Sequence, residues 1–92
     1  MARIYQTPTY GDAQLRAALV PDQGRAHLWA CRVSSWGMAR GDTLWFMTPD
    51  YHTATVRVHF GSPGTAELLV CFVSTPGMAG WRTEHAWRGR LG

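Results

Sequence analysis

The run Ala26-His27-Leu28-Trp29-Ala30-Cys31-Arg32-Val33-Ser34-Ser35-Trp36-Gly37-Met38 lies without a gap against Ala66-Glu67-Leu68-Leu69-Val70-Cys71-Phe72-Val73-Ser74-Thr75-Pro76-Gly77-Met78. Ala, Leu, Cys, Val, Ser, Gly and Met coincide, and a further Ala follows each run at Ala39 and Ala79. Such agreement inside 92 residues marks a repeated unit of about a dozen residues. Working outward, the marker Ala stands at Ala2, Ala13, Ala26, Ala39, Ala54, Ala66 and Ala79. An apolar stretch and then a turn with Pro or Gly follow each marker. The predicted strands are Leu15–Val20, Leu28–Val33, Thr43–Met47, Val56–Phe60 and Leu68–Val73, with a weaker one at Arg3-Ile4-Tyr5-Gln6. Arg40-Gly41-Asp42 reads as an insertion, and its match to an adhesion tripeptide as chance.

Alternation sorts these strands. Val56, Val58 and Phe60 point one way and Thr55, Arg57 and His59 the other, which describes a half-exposed strand. Leu68–Val73 is apolar on both faces and should be covered on both; Leu44-Trp45-Phe46-Met47 looks similar. Thr7-Pro8, Thr48-Pro49, Ser62-Pro63 and Thr75-Pro76 pair a hydroxyl with Pro, the pattern of an N-cap followed by the first position of a helical turn. The expected fold is mostly β with short helical turns, a compact single domain over 1–92 of about six strand–turn units. A six-residue strand spans roughly 20 Å. The roughly seven residues left in a unit return to its start only if nearly extended. A regular parallel coil should therefore be strained, and hairpin-like reversals or a criss-crossing path easier.

The composition is globular: 46% hydrophobic, 16% charged and rich in Trp, with five. Every basic side chain other than His is Arg, yet the net charge of +3 is too modest to establish a polyanion partner. Apolar runs are strand-sized, so no membrane span is expected, and the N-terminus lacks the apolar core of a signal peptide. Two cysteines make no disulfide framework, and a cytoplasmic location with reduced thiols is the expectation.

Candidate chemistry is sparse. Cys31 and Cys71 occupy matching positions between apolar neighbours and read as buried and inert. His27, His52, His59 and His85 show no metal-ligand spacing, although a site assembled in space from His59, His85 and a carboxylate stays open. Asp12, Asp22 and Asp50 lie in links, where Asp caps and turns. Ser34 and Ser35 lack a nucleophile elbow, and Gly61-Ser62-Pro63-Gly64 is not a phosphate loop. No catalytic, cofactor-binding or metal-binding residue is predicted. The concentrated feature is Trp81 to Arg90. Its Arg82, Trp87, Arg88 and Arg90 are the candidates for nucleic-acid contact, set against a role in sealing a small core. Tyr10 and Trp36, in links, are the aromatics to look for on a contact surface.

The same residues resemble a family. Repeats of the form Ala-x-Leu-x-Val-x-x-Val, a Gly80-Trp81-Arg82-Thr83-Glu84-His85 ending, the tail Gly89-Arg90-Leu91-Gly92 and the block Asp42-Thr43-Leu44-Trp45-Phe46 are similar to the septoil-knot proteins of bacteria and phages. The resemblance implies a compact backbone knot of seven crossings and no established biochemical activity. The chain departs from the family in using Arg and Trp where Lys and Tyr are common there. It also keeps an acidic residue after the marker Ala only at Glu67. The expected function is a stable structural or protein-interaction module with an unidentified protein partner, monomeric or weakly dimeric. The alternative is a nucleic-acid-binding accessory protein.

Overall fold

The computed structural model describes residues 2–92, the side chain of Tyr10 apart, so the exposure expected for Tyr10 lies outside the described residues. The strands are β1 Ala2–Gln6, β2 Leu15–Leu19, β3 Leu28–Arg32, β4 Leu44–Met47, β5 Val56–Phe60, β6 Leu68–Val73 and β7 Gly80–Trp81. Predicted bounds coincide for β5 and β6 and differ by one residue at one end for β1 to β4. β7 was not predicted, because two residues carry no period.

Strands β1 to β6 all run parallel. They close into a barrel in the order β4-β1-β5-β2-β6-β3, with β3 pairing back onto β4. β7 adds to β3 antiparallel. The chain winds round twice: β1, β2 and β3 take alternate places, and β4, β5 and β6 fill the gaps.

Of the two easier paths the chain takes the criss-crossing one and makes no hairpin-like reversal between β1 and β6, and the register shows why an all-parallel course of these strands is not strained. Gln6 at the end of β1 is level with Val58, and through it with Leu15 at the start of β2. Leu19, Val70 and Leu28 line up in the same way, as do Met47, Ile4 and Val56 and Phe60, Ala17 and Leu68. Each of these links joins a strand's end to a start on its own level, two places round the barrel. It crosses one intervening strand, about 10 Å in all at roughly 4.8 Å per spacing, instead of retracing a whole strand. The shear of a closed, tilted barrel supplies this stagger; the sequence estimate assumed strands set side by side.

The links carry 3₁₀ turns at Tyr10–Asp12, Gln23–Arg25, Trp36–Met38, Tyr51–Thr53 and Pro76–Met78. Asp22 and Asp50 cap two of them, accepting from Gly24 N–H and His52 N–H at 2.9 Å each. The hydroxyl–Pro pairs behave as expected in position only at Thr75-Pro76, where the hydroxyl makes no capping bond. The Thr48 hydroxyl instead accepts from Asp50 N–H at 3.1 Å, one residue beyond Pro49. Ser62-Pro63 makes a turn closed by Thr65 N–H on the Ser62 carbonyl at 3.2 Å. Ala26, Ala39, Ala54 and Ala79 each end a 3₁₀ turn. Ala26 and Ala39 are buried, whereas Ala66 is only half-buried.

Side chains alternate in and out along each strand. Register and alternation stack the inward ones in layers. Nearest the strand starts lie Ala2, Leu15, Leu28, Val56 and Leu68; in the middle lie Ile4, Ala17, Ala30, Trp45, Val58 and Val70, all buried. Ala17 and Ala30 leave the volume that Trp45 fills, and the Trp45 indole N–H donates to the Asp42 carbonyl at 2.6 Å. On the outer face, Val20, Ala26 and Cys71 pack with Trp29 and Leu69 beneath a link. β6 is therefore covered on both faces, as expected. In β4 only Trp45 is buried, contrary to the similar reading given to that strand.

Candidate functional surfaces at the two barrel mouths

Because six strands are parallel, all their N-terminal ends open on one mouth and all their C-terminal ends on the other. The N-terminal mouth is filled by the chain's own ending. Leu91 is fully buried in the barrel core, with Trp81 and Trp87 packed against it. The fastenings are residues that stand just ahead of strands. Asp42, ahead of β4, accepts from the Trp81 indole N–H at 3.0 Å, from Leu91 N–H at 3.0 Å and from Gly89 N–H. Thr55, ahead of β5, donates its hydroxyl to the Leu91 carbonyl at 2.7 Å. Glu67, ahead of β6, accepts from the Trp87 indole N–H at 2.8 Å and from Arg16 at 3.3 Å. Its carbonyl meets His85 Nε2 at 2.7 Å. His27, ahead of β3, accepts Arg82 N–H on its carbonyl at 2.8 Å. Its ring lies 5.1 Å from that of His85. Burial, and secondarily the charge of His85, hold His27 below the ordinary imidazole pKa.

The C-terminal mouth is uncovered. Its layer is Gln6, Leu19, Arg32, Met47, Phe60 and Phe72. Leu19 is 47% exposed, Met47, Phe60 and Phe72 are part-buried, and Gln6 and Arg32 face solvent. Phe72 and Phe60 close over Trp45, with ring centroids 5.7 and 6.5 Å from it. The Arg32 guanidinium lies 5.5 Å above Phe72. The ion pairs among the described residues, Arg16–Glu67 and Arg88–Glu84, do not involve Arg32.

Of the nucleic-acid candidates, Arg82, Arg88 and Arg90 are exposed, and each also meets a side chain of its own chain. Arg82 lies 4.3 Å over Trp29 and Arg90 4.8 Å over Trp87. Arg88 pairs with Glu84 at 2.9 Å, and Trp87 is half-buried. Trp36 is exposed, as its place in a link predicted, with Arg3 4.8 Å over its ring. Trp36 stands beside a shallow hollow of about 230 Å³ lined by Gly37, Met38, Arg40 and Leu44, which gathers no titratable group besides Arg40. His59 and His85 are not brought together: His59 Nδ1 meets the Thr7 carbonyl at 3.1 Å, while His85 packs on His27. Among the described residues no group of three or more His, Cys, Asp or Glu is placed to hold a metal. Cys31 and Cys71 are buried and free. They face Val73 and Trp29 on neighbouring strands, so they sit diagonally. Diagonal neighbours are about 7–8 Å apart, beyond disulfide reach. No described helix is long and apolar enough to cross a membrane.

Sequence reasoning missed Asp42, His27 and the ring of residues ahead of the strands. Asp42 and the three N–H groups it binds are 39 to 49 positions apart, and no local pattern joins them.

The six-stranded parallel barrel is staggered and wound twice, with the C-terminal segment drawn across one mouth. The chain belongs to the 7(1) septoil knot domain family, whose model matches residues 1–82. The match ends at Arg82, so most of the segment that fills the mouth lies beyond it. No curated protein and no solved structure matches the chain.

Proposed function

We propose that the chain is a knotted, rigid, non-catalytic module that binds a protein partner through the open C-terminal mouth of its barrel. The asymmetry of the two mouths carries this reading. One is closed by Leu91, whereas the other leaves Leu19, Met47, Phe60 and Phe72 in contact with water inside a polar rim. An apolar patch so rimmed is the usual form of a contact surface. Arg32, over an aromatic ring and outside the ion pairs of the described residues, suits a partner that sets a carboxylate beside an apolar side chain. Family membership supports a knot, and an end fastened at four strand starts would keep one from unthreading.

The test is site-directed photo-crosslinking in extract of the source cells, with the reactive group at position 19 or, as a control, at the exposed Thr83 by the closed mouth. The reading expects one identified protein to be captured from position 19 and not from 83, and Arg32→Glu to abolish the capture. Equal capture from both positions, or capture unaffected by Arg32→Glu, would overturn it.

The alternative, a nucleic-acid accessory, draws on Arg82 and Arg90, whose stacked guanidiniums keep edge donors free. It requires binding to single-stranded DNA that weakens steeply between roughly 50 and 200 mM salt. It also requires weaker binding by Arg82→Ala and Arg90→Ala.

A further inference from the structure

The first turn into β3, the link into β6 and the C-terminal segment meet at two imidazoles, and hydrogen bonds assign the proton on each. Nδ1 of His27 accepts from Leu69 N–H at 3.0 Å. Nδ1 of His85 accepts from Trp87 N–H at 3.1 Å, which leaves its Nε2 to donate to the Glu67 carbonyl at 2.7 Å. A backbone N–H needs an unprotonated nitrogen, so both rings are neutral in the docked structure. They are also neighbours, 5.1 Å apart, and His85 stacks on Trp81 at 5.7 Å.

We propose that His27 and His85 form an acid-sensitive latch on the C-terminal segment. Protonation of the pair frees residues 82–88 from the mouth while Asp42 still holds Leu91. A proton on either Nδ1 turns an acceptor into a donor aimed at an N–H, and a proton on both sets two cations in contact.

The other charges facing the pair do not cancel this. Glu67, whose backbone carbonyl meets His85, carries a carboxylate, but its oxygens are engaged by the Trp87 indole and Arg16. It can soften a charge on His85, yet it cannot restore the lost acceptor. Asp42 is occupied by Trp81, Gly89 and Leu91. Arg82 lies over Trp29, adding positive charge on this side, and Glu84 and Arg88 pair with each other. The lowered pKa of His27 fits the same picture. A base whose folded pKa is depressed binds protons better when released. Its stabilising contribution is full above its ordinary value of about 6.5 and is lost as pH falls below that.

The experiment follows the Trp87 indole N–H resonance and amide protection factors of the full chain between pH 7.5 and 4. The latch predicts that the indole shift changes with a midpoint below the ordinary imidazole value of about 6.5 and above the carboxylate range. Protection at Trp87 and Arg88 should fall on the order of tenfold across the same range, with strand β5 unaffected. A midpoint below pH 4.5, where carboxylates titrate, or no transition at all, overturns it. His27→Asn combined with His85→Gln keeps hydrogen-bonding groups but cannot titrate there. The double variant should hold the segment docked at pH 5, and a transition like the parent's would also overturn the proposal. If the double variant fails to fold, the titration of the parent chain decides alone.

Discussion

Replacing Leu91 by Ala tests whether the chain's ending is part of the core. Leu91 is fully buried although it stands one residue from the end. Three carbons leave the core, worth about 2.4 kcal/mol at roughly 0.8 per methylene. The cavity left behind adds to that, and buried Leu→Ala changes run from about 2.7 to 5 kcal/mol. Leu91 lies at the mouth of the barrel, where neighbouring side chains can shift into the space, which points to the lower part of that range, about 3 kcal/mol. The whole stability of a domain this size is about 5–14 kcal/mol. The loss is therefore about a fifth or more of the total, and about 12–24 °C in melting temperature. Urea unfolding followed by Trp fluorescence measures it: the midpoint should drop with the slope unchanged. Arg90→Ala, at the exposed neighbour, should cost less than about 1 kcal/mol. A Leu91→Ala loss under about 1 kcal/mol, or one no larger than that of Arg90→Ala, would refute the reasoning.

Other perturbations follow from the same geometry. Ala39→Leu should destabilise by about 1–3 kcal/mol through overpacking in thermal melts, and the half-buried Ala66→Leu by less; a neutral Ala39→Leu would mean the turn does not pack closely. Asp42→Ala strips three N–H donors of their acceptor and should cost about 2–4 kcal/mol by denaturant titration, with Asp42→Asn between it and the parent. Cys31 and Cys71 should react with a bulky aromatic disulfide only as fast as the chain opens, and burst labelling in native buffer would contradict their burial. Stability to urea should hold steady above about pH 6.5 and decline below it as His27 takes its proton; a flat profile down to pH 5 would contradict the assignment of its Nδ1 as an acceptor.

The strands were legible in the sequence because alternation is a local property. Val56, Val58 and Phe60 announce their inward face, and Leu68–Val73 its double cover. The marker Ala residues announced the turns they end. The closure was not legible. That Gln6, Val58 and Leu15 share a level is a fact about barrel shear, and shear belongs to no single strand. The hydroxyl–Pro pairs misled in part, because at Asp50 a carboxylate next to Pro reaches the free N–H better than the hydroxyl before it. The N-terminal mouth was half legible. Trp81 and Trp87 are too large for a free tail, which pointed to burial. Their partners Asp42, Thr55 and Glu67 lie 20 to 49 positions away from them or from Leu91. The uncovered mouth could be found only once Leu19, Arg32, Phe60 and Phe72 had been placed in one layer.

The account rests on the C-terminal segment completing the barrel, and deletion of Trp87–Gly92 tests that most directly. The deletion removes the buried Leu91, the Trp87 indole and two of the three N–H groups bound by Asp42. Calorimetry of the truncated chain should show a melting temperature lower by more than about 20 °C, or no cooperative transition. A truncated chain that melts cooperatively within a few degrees of the parent would contradict the account and leave residues 87–92 an appendage to a barrel that closes without them.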